Sequence, residues 1–318
     1  MITQPLPDEL YEKIERLNRR VWEGRVDVPK INTWLDNFDG RSKTKPIERL
    51  HMLFLLSNFL YFRSNQIRQL LKAAFRDLFK YPIVERIRRE NRDTRDLDFI
   101  RKRFDEQLQA TRFLGMGNPS ESGCHLLYYF RQMNALRRDL FINAHEIFSR
   151  SKLTGKRRLA STTVARYVFL DDFCGSGTQA VEYARGLVEE AKEHNPRLQI
   201  EYHVLFGCKH GVARIRRSKL FDQVSCLIEL DETFICFGNN SRFFHSAPPE
   251  IMKQTAKDIC TDYGLLLCSG FPLGFGNCQL LLGFHHNTPD NTLPVFWWDE
   301  SSPPWEPIFR RYPKLAYY

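Results

Sequence analysis

A strand pattern changes to a helix pattern within one short stretch of this chain, across a loop rich in glycine. Tyr167–Leu170 is a continuous apolar run of strand length, as expected of a parallel strand buried on both faces. From Thr178 to about His194 the apolar residues instead recur at helical spacing. The buried face of that helix is predicted to contain Ala180, Val181, Ala184, Leu187 and Val188. A strand, a tight loop and a helix in this order are the repeating unit of an α/β fold.

The rest of the C-terminal half continues this alternation. A strand is predicted at Arg112–Gly117, and a helix from Cys124 to about Phe148. Further along the chain we predict the strands Ile200–Gly207, Ser225–Leu230 and Gln279–Phe284, with a short helix over Val212–Leu220. The fold class is therefore predicted to be α/β, with a mainly parallel sheet.

The N-terminal third has a different pattern. Helical periodicity covers Pro7 to about Gly24, then Pro46 to about Lys80, and finally Asp96–Gln109. Pro82 is predicted to break the second of these helical segments. We predict two domains: a basic helical region over residues 1–110 and the α/β domain over residues 111–318.

The positive charge is concentrated in the first half of the sequence. The net charge is +9, and residues 1–150 contain 28 Lys and Arg against 20 Asp and Glu, a surplus of 8. Such a surplus is typical of a protein that contacts nucleic acid. The alternative is that these arginines cover solvated helix faces and pair with nearby acids, since no nucleic-acid-binding motif accompanies them.

The cysteines and the apolar runs restrict the class of protein. All eight cysteines lie between Cys124 and Cys278 without a C-x-x-C pair, so neither a disulfide framework nor a protein-bound metal site is expected. The longest apolar stretch, Met52–Phe62, is too short to span a bilayer, and the N-terminus lacks a signal-peptide pattern. We expect a soluble cytoplasmic protein without a membrane partner.

The loop after the Tyr167–Leu170 strand has the chemistry of a sugar-phosphate site. Glycines let backbone N–H groups close around an anion, and the start of the following helix adds further donors. Gly175, Ser176, Gly177 and Thr178 are therefore predicted to bind phosphate. Asp171 and Asp172 repel phosphate, so we assign them to the hydroxyl groups of the attached sugar.

This arrangement resembles the signature of type I phosphoribosyltransferases, in which an apolar strand leads into two acidic residues and a loop rich in Gly, Ser and Thr. The resemblance implies that Asp171 and Asp172 are the catalytic-site ligands of the ribose 2′- and 3′-hydroxyls, and that Gly175–Thr178 hold the 5′-phosphate. It also implies Mg²⁺ as a cofactor, bound chiefly through the phosphates of the substrate.

Two alternatives remain for this loop. The run Phe173–Thr178 also resembles the first motif of nucleic-acid methyltransferases, which bind S-adenosylmethionine. That family usually has Pro where Asp172 stands, an acidic residue after the next strand, and an Asp/Asn-Pro-Pro-aromatic motif, none of which occurs here. The other alternative is a tight glycine turn without a ligand, although two adjacent carboxylates would then be costly.

Two further segments are candidates for contacts with the substrate. The turn Gly117–Gly123 follows a predicted strand and offers Ser120, Ser122 and the Gly123 backbone to a pyrophosphate, or simply a helix N-cap. Lys209 begins a basic cluster after the Ile200–Gly207 strand. It is a candidate for neutralising pyrophosphate, or part of a solvated helix face.

The C-terminal segment carries a second resemblance. Histidine, amide and aromatic residues between His285 and Trp298 suit a nucleobase, so His285, Asn287 and Trp297 are candidate base or pyrophosphate contacts; the alternative is a proline-rich cover over the sheet. Together with the aspartate loop and the Gly117–Gly123 turn, the segment resembles the phosphoribosyltransferase-like effectors of bacterial conflict systems, called PRTase-CE. Trp305 and Arg310 fit that pattern.

The second resemblance extends over residues 111–311 and leaves residues 1–110 unexplained. It implies a toxic or otherwise protective effector in antiphage defence, beside a partner ATPase or, in some retrons, a reverse transcriptase. The leading hypothesis is an enzyme acting at C1 of a ribose-5-phosphate compound such as phosphoribosyl pyrophosphate (PRPP) or a nucleotide. A non-catalytic module that senses nucleotides and binds nucleic acid or a partner is the alternative, and methyltransfer is a third.

Overall fold

The computed structural model describes residues 6–117, 122–150, 155–299 and 304–312, with the backbone alone at residues 122–125. It is a mixed α/β protein with parallel strand pairs and a helical N-terminal region, which confirms the predicted fold class. No helix within these ranges is long and apolar enough to cross a membrane.

The elements are numbered in chain order. They are α1 (Leu6–Arg20), α2 (Val28–Asp36), α3 (Lys45–Ser57), β1 (Leu60–Phe62), α4 (Ser64–Ala74), a π-helical segment (Phe75–Lys80), α5 (Tyr81–Glu90), α6 (Leu97–Gln109), β2 (Thr111–Gly115), α7 (Ser122–Met133), β3 (Phe148–Arg150), β4 (Arg157–Leu159), β5 (Arg166–Cys174), α8 (Thr178–His194), β6 (Gln199–Cys208), α9 (Lys209–Ser218), β7 (Gln223–Leu230), α10 (Lys253–Leu267) and β8 (Leu282–Phe284).

The chain forms two compact units. Unit 1 combines residues 1–66 with residues 230–318, and unit 2 contains residues 67–229. These compact units are not bounded at residues 110 and 111, where the sequence pattern changes. The predicted division into separate domains at that point stays a prediction.

Unit 2 is built around a four-stranded sheet in the order β2-β5-β6-β7. The central strand β5 runs parallel to β2 and to β6, with Leu170 opposite Gly115 on one side and His203 on the other. Its apolar residues fit this central position: Phe169 is fully buried and packs with Ala184 of α8 and Ile215 of α9 in one core. The sheet thus places the ends of β5 and β6 side by side, each followed directly by a helix.

The helix pattern before this sheet needs one correction. The prediction that Pro82 breaks the second helical segment is wrong, because Pro82 lies in the first turn of α5, directly after the π-helical segment. A proline lacks an N–H and crowds the carbonyl four residues earlier, and the wider π turn removes that conflict. The strand β1, inside the stretch predicted as helix, is the other difference.

The later part of unit 2 also departs from the predicted bounds. The helix expected to reach about Phe148 ends at Met133, after which Ala135 adopts a left-handed φ of 49° and turns the chain. By contrast α6 begins after the N-cap Asp96, whose carboxylate accepts the Asp98 and Phe99 N–H groups, as the pattern indicated.

Unit 1 has a core rich in aromatic residues that come from both ends of the chain. Trp34 of α2 is fully buried, and its indole N–H donates to the Val295 carbonyl at 2.8 Å. The ring stacks on Phe296 at a centroid distance of 5.3 Å and meets Phe38 edge-on. A short parallel pair, β1 with β8, joins the same two parts of the chain.

The strand predicted over Gln279–Phe284 is only half formed. Gln279 has a left-handed φ of 52°, so regular pairing begins at Leu282. The preceding residues run through buried turns, where Leu280 pairs with Thr292 in a single bridge.

Candidate functional site

The predicted phosphate loop lies between the end of β5 at Cys174 and the start of α8 at Thr178. Gly177 holds a left-handed φ of 75°, a conformation that favours glycine. A Cβ at this position would lie 2.6 Å from the Gly211 carbonyl oxygen and 3.0 Å from the Ile215 side chain. The glycine is therefore needed both for its backbone angle and for the close approach of α9.

Gly211, in the first turn of α9, packs against the loop and was not predicted from the sequence. A Cβ there would overlap the Gly175 carbonyl, so the backbone of α9 lies directly against the loop. Gly207, near the end of β6, leaves room for side chains instead, because its Cβ would lie 2.4 Å from the Val212 side chain. A pair of glycines at the junction of a strand and a helix was the available signal.

The hydroxyl groups of the loop are already oriented. Ser176 Oγ accepts from the Thr178 N–H at 3.3 Å and donates to Thr178 Oγ1 at 3.1 Å. Arg214 of α9 donates to the same Thr178 Oγ1 at 2.6 Å. Arg214 belongs to the basic cluster that begins at Lys209, predicted either to neutralise pyrophosphate or to form a solvated helix face. The structure places its guanidinium at Thr178 of the predicted phosphate loop.

Asp171 and Asp172 occupy the last part of β5. Asp171 Oδ2 accepts a hydrogen bond from the Tyr202 hydroxyl at 2.7 Å, and its Oδ1 accepts from the Asp172 N–H at 3.0 Å. The Asp172 residue is only 8% exposed, and Asp171 is half-buried. The strand therefore holds two adjacent carboxyl groups in a largely desolvated position beside the loop.

The proton affinity of Asp171 reflects this position. Burial raises the pKa of Asp171 well above its ordinary value, and the charge of Asp172 raises it further, while the hydrogen bond from Tyr202 acts in the opposite direction. Burial and the nearby Asp171 likewise raise the pKa of the Tyr202 hydroxyl. A pair of this kind resists carrying two negative charges, and it gains from hydroxyl donors or a cation.

The turn predicted to hold pyrophosphate is described only in part. Ser120 lies outside the described residues, and Gly117 is the last described position before it. Ser122 and Gly123 are the first two residues of α7, which packs against β2 and β5. Their predicted role in phosphate binding stays a prediction.

Lys209 begins α9 and has an exposed side chain. It therefore lies at the edge of the sheet where β6 ends, in the same unit as the phosphate loop. Its predicted contact with pyrophosphate stays a prediction.

The three C-terminal candidates belong to unit 1. The His285 N–H donates to the Phe62 carbonyl at 3.0 Å, and Asn287 Oδ1 accepts from the Thr288 and Tyr312 N–H groups, each at 2.9 Å. Trp297 is 7% exposed and donates its indole N–H to the Thr292 carbonyl at 2.8 Å. All three have contacts that hold the C-terminal segment in place, and their part in binding a base stays a prediction.

Metal-ligating side chains are not clustered in the part of the chain that the structure describes. In those ranges no group of three or more His, Cys, Asp or Glu side chains is arranged to hold a metal ion. The carboxyl pair of Asp171 and Asp172 lies on β5, immediately before the loop.

Several solved structures are similar to this chain, among them the following three. The AQ2163 protein from Aquifex aeolicus has a TM-score of 0.28 and 11% identity, over 65% of this chain and 86% of that one. The orotate phosphoribosyltransferase from Aeropyrum pernix has a TM-score of 0.25 and 10% identity, over 42% and 77%. The xanthine-guanine-hypoxanthine phosphoribosyltransferase of Helicobacter pylori has a TM-score of 0.27 and 8% identity, over 54% and 90%.

Likenesses of this size do not identify the chain, and comparison with the curated proteins found no match. A family model does identify it. The PRTase-CE model matches residues 31–311, which includes both units, the aspartate loop and the C-terminal segment. The match begins well before residue 111, so it also takes in most of the N-terminal region that the sequence resemblance left unexplained. The chain belongs to the PRTase-CE family.

Proposed function

We propose that unit 2 binds the ribose-5-phosphate part of PRPP or a nucleotide, and that the chain acts on the bond at C1 of that ribose. The observation that supports this most is the adjacency of two unlike groups. A largely desolvated carboxyl pair lies on β5, and a glycine and hydroxyl loop follows it, with Arg214 hydrogen-bonded to the loop. A sugar phosphate presents the complementary pair of groups, hydroxyls beside an anion.

The phosphate half of the proposal rests on the loop and α8. The first turn of α8 begins directly after Gly177, so its N–H groups and the positive end of the helix dipole face the loop. Ser176 and Thr178 offer hydroxyl groups whose orientation is already fixed by hydrogen bonds. Arg214 supplies a positive charge at hydrogen-bond distance from Thr178, which suits a phosphate oxygen bound there.

The ribose half rests on the two carboxyl groups. Each carboxylate oxygen has two lone-pair directions, so Asp171 can accept a ribose hydroxyl while it keeps its bonds from Tyr202 and Asp172. Tyr202 fixes the rotamer of Asp171 from the neighbouring strand β6. The site is thus organised before the sugar arrives, which lowers the entropic cost of orienting it.

Reaction at C1 of ribose develops positive charge on the sugar as the bond to the leaving group breaks. A carboxyl pair that carries a single negative charge near the ring stabilises that positive charge, so the residues act mainly through electrostatics and positioning. Mg²⁺, if bound through the substrate phosphates, would supply charge neutralisation for a departing pyrophosphate. The adjacent carboxyl groups of Asp171 and Asp172, which resist carrying two negative charges, would favour such a cation.

Membership of the family supports the wider role of a phosphoribosyltransferase-like effector. We propose that this role is exerted in a bacterial conflict or antiphage system, with a partner ATPase or a retron reverse transcriptase as candidate partners. The surplus of positive charge in residues 1–150 suits contact with nucleic acid or an acidic partner surface. Growth arrest on expression, lost in a variant without the carboxyl pair, would support a toxic effector.

The decisive experiment replaces both carboxyl groups, as Asp171→Asn with Asp172→Asn. PRPP with Mg²⁺ should raise the melting temperature of the wild-type protein, because a ligand of the native state stabilises it by mass action. The double variant should fold and lose that response, together with any activity or toxicity. Its matched control changes the adjacent exposed acids of α6, as Asp105→Asn with Glu106→Gln, and should respond like the wild type. A full response of the Asp171 and Asp172 variant would overturn the proposal.

Arg214→Gln tests the phosphate half by itself. Removing one charged hydrogen bond to phosphate should weaken PRPP binding by roughly 10- to 100-fold, since such a bond contributes about 1.5–3 kcal/mol. Isothermal titration calorimetry gives the affinity. Arg217→Gln is the control, because Arg217 lies on the same helix but donates to the Ala213 carbonyl. If the two variants bound PRPP with equal affinity, Arg214 would not contact the phosphate.

A further inference from the structure

Unit 1 contains a cleft of about 910 Å³ that the proposed function does not use. It is lined by residues of the segment between β7 and α10, from Thr233 to Lys253. The described residues that line it include Arg242 and Lys253 but no Asp or Glu. A cleft of this size suits a small molecule, and an excess of positive side chains on its walls favours an anion.

Arg242 is held in place mainly by uncharged groups. Its Nε–H donates to Thr233 Oγ1 at 2.9 Å, and its guanidinium carbon lies 3.6 Å from the centre of the Phe234 ring. Thr233 in turn donates its hydroxyl to Asp231 Oδ1 at 2.6 Å, which fixes the direction of its lone pairs. Because Arg is planar and offers several N–H donors, a guanidinium fixed through Nε can still present its outer edge to a phosphate.

A second positive feature meets the cleft at the start of α10. Lys253 lines the cleft and donates to the Gly238 carbonyl at 3.0 Å. The N-cap of this 15-residue helix is Met252, which has no side-chain acceptor for the N–H groups of the first turn. The positive end of the α10 dipole therefore adds to the two cationic side chains.

An unpartnered polar group supports the presence of a ligand. Ser241 lines the cleft and is only 7% exposed, and its Oγ has no hydrogen-bond partner in the structure. Leaving a buried hydroxyl without a partner costs free energy, so such groups are rare unless a water or a ligand completes them.

The remaining walls suit a flat ring. Phe244, Pro248 and Pro249 provide apolar surface, and the exposed His245 is able to stack on a ring. The amides of Asn239 and Asn240 can pair with the donor and acceptor edge of a nucleobase. An anion alone would not use these groups.

We propose that this cleft is a second ligand site, which binds a nucleoside phosphate. Arg242, Lys253 and the start of α10 bind the phosphate group, and the base packs against Phe244 and His245. The cleft is formed by unit 1 alone, so it requires none of the residues of the Asp171–Thr178 site. Its occupation gives the chain a nucleotide-binding function in addition to the one proposed for unit 2.

The test uses AMP as the probe, in the full chain that carries Asp171→Asn and Asp172→Asn, so that the unit 2 site does not contribute a ribose contact. Equilibrium dialysis gives the affinity for AMP, for adenosine and for inorganic phosphate. AMP should bind more tightly than either fragment. Arg242→Gln should weaken AMP binding at least about tenfold, as expected for a lost charged hydrogen bond.

Two further variants keep the result interpretable if Arg242→Gln disturbs the fold through Phe234. Asn239→Asp adds a carboxylate at an exposed cleft residue and should also weaken AMP binding. Lys257→Gln removes a charge from α10 one turn beyond the cleft and should leave it unchanged. The proposal is overturned if AMP binds no more tightly than phosphate, or if Arg242→Gln and Asn239→Asp both bind AMP like Lys257→Gln. The affinity for PRPP of an Arg242→Gln variant that keeps Asp171 and Asp172 tests the unit 2 site independently of the cleft.

Discussion

The two units of this chain differ in how far apart along the sequence their essential residues lie. In unit 2 the carboxyl pair and the phosphate loop occupy the single run Asp171–Thr178. In unit 1 the buried indole of Trp34 donates to a carbonyl 261 positions away, at Val295. A local run with a chemical signature can be read from the sequence, whereas a core assembled from both ends of a chain cannot.

The difference also separates two kinds of sensitivity to mutation. Unit 2 holds its site with glycines that permit the backbones of the loop and α9 to touch, as at Gly177 and Gly211. Unit 1 depends instead on large aromatic side chains that fill a shared core, such as Trp22, Trp34 and Trp305. We therefore expect side-chain truncation to do most damage in unit 1, and an added methyl group to do most damage in unit 2.

The largest effect is expected from Trp34→Ala. Truncating this fully buried side chain should lower the free energy of unfolding by about 3–5 kcal/mol, because it leaves a cavity and removes the hydrogen bond to Val295. Trp34→Phe keeps a ring in the same place and should cost only about 1–2 kcal/mol. Urea denaturation followed by circular dichroism gives both values. Equal losses would show that the hydrogen bond, rather than the packing, joins the two ends of the chain.

A smaller effect is expected from Gly211→Ala in unit 2. The new methyl group overlaps the Gly175 carbonyl, so stability should fall by about 1–3 kcal/mol and PRPP binding should weaken with it. Gly186→Ala makes the same chemical change on the exposed face of α8, where nothing lies within 4 Å. It should instead stabilise the protein by about 0.5–1 kcal/mol. If Gly211→Ala left both the free energy of unfolding and the affinity for PRPP unchanged, the close contact between the loop and α9 would be contradicted. Chemical denaturation and calorimetry measure the two quantities.

The smallest effect concerns pH. Because the native pKa of Asp171 is raised above its ordinary value, the native state binds a proton that the unfolded state has released. The stabilising contribution of Asp171 to the free energy of unfolding is fully present at pH values below its ordinary pKa of 3.8. It is lost as the pH rises through the native pKa. The slope for one proton is at most about 1.4 kcal/mol per pH unit.

Asp171→Asn should remove that slope, keep an acceptor for Tyr202 and make the unliganded protein more stable at neutral pH. Urea unfolding of both proteins across about four pH units, from about pH 4 to about pH 8, measures the difference. Asp105→Asn, at an exposed position, should retain the wild-type pH dependence. If the stability of wild type and of Asp171→Asn changed with pH in the same way, the native pKa of Asp171 would not be raised.

Several elements of the fold followed from local pattern. The bounds predicted for the helix after the loop, Thr178 to His194, are those of α8, and the N-cap Asp96 marks the start of α6. Both depend on short-range physics: a glycine in a left-handed conformation directly precedes α8, and a side-chain cap precedes α6. The predicted central strand also exists, although β5 extends through both aspartates to Cys174.

The differences arise where non-local contacts decide. Pro82 was expected to end a helix, but a π-helical segment before it accommodates the ring. The strand β1 exists because β8, more than 200 residues later, provides its partner. Local periodicity contains no information about either arrangement.

The candidate site divides in the same way. Asp171, Asp172 and the glycine loop were found from their order along the chain, because a phosphate cradle and its neighbouring carboxyl groups belong to one strand, loop and helix. Tyr202 and Gly211 were not predicted, and Arg214 was predicted only as one member of a basic cluster, since all three lie on the neighbouring strand and helix. Only the pairing of β5 with β6 brings them to the loop.

The sequence by itself determined the α/β class of this protein, the family resemblance and the position of its carboxyl pair, because these depend on residue type and short-range spacing. The tertiary structure alone decided that Asp171 is desolvated and held by Tyr202, that Arg214 reaches Thr178, and that both ends of the chain form one aromatic core. Burial, pKa and ion contacts depend on which elements pack together, and packing joins residues that the order of the chain keeps apart.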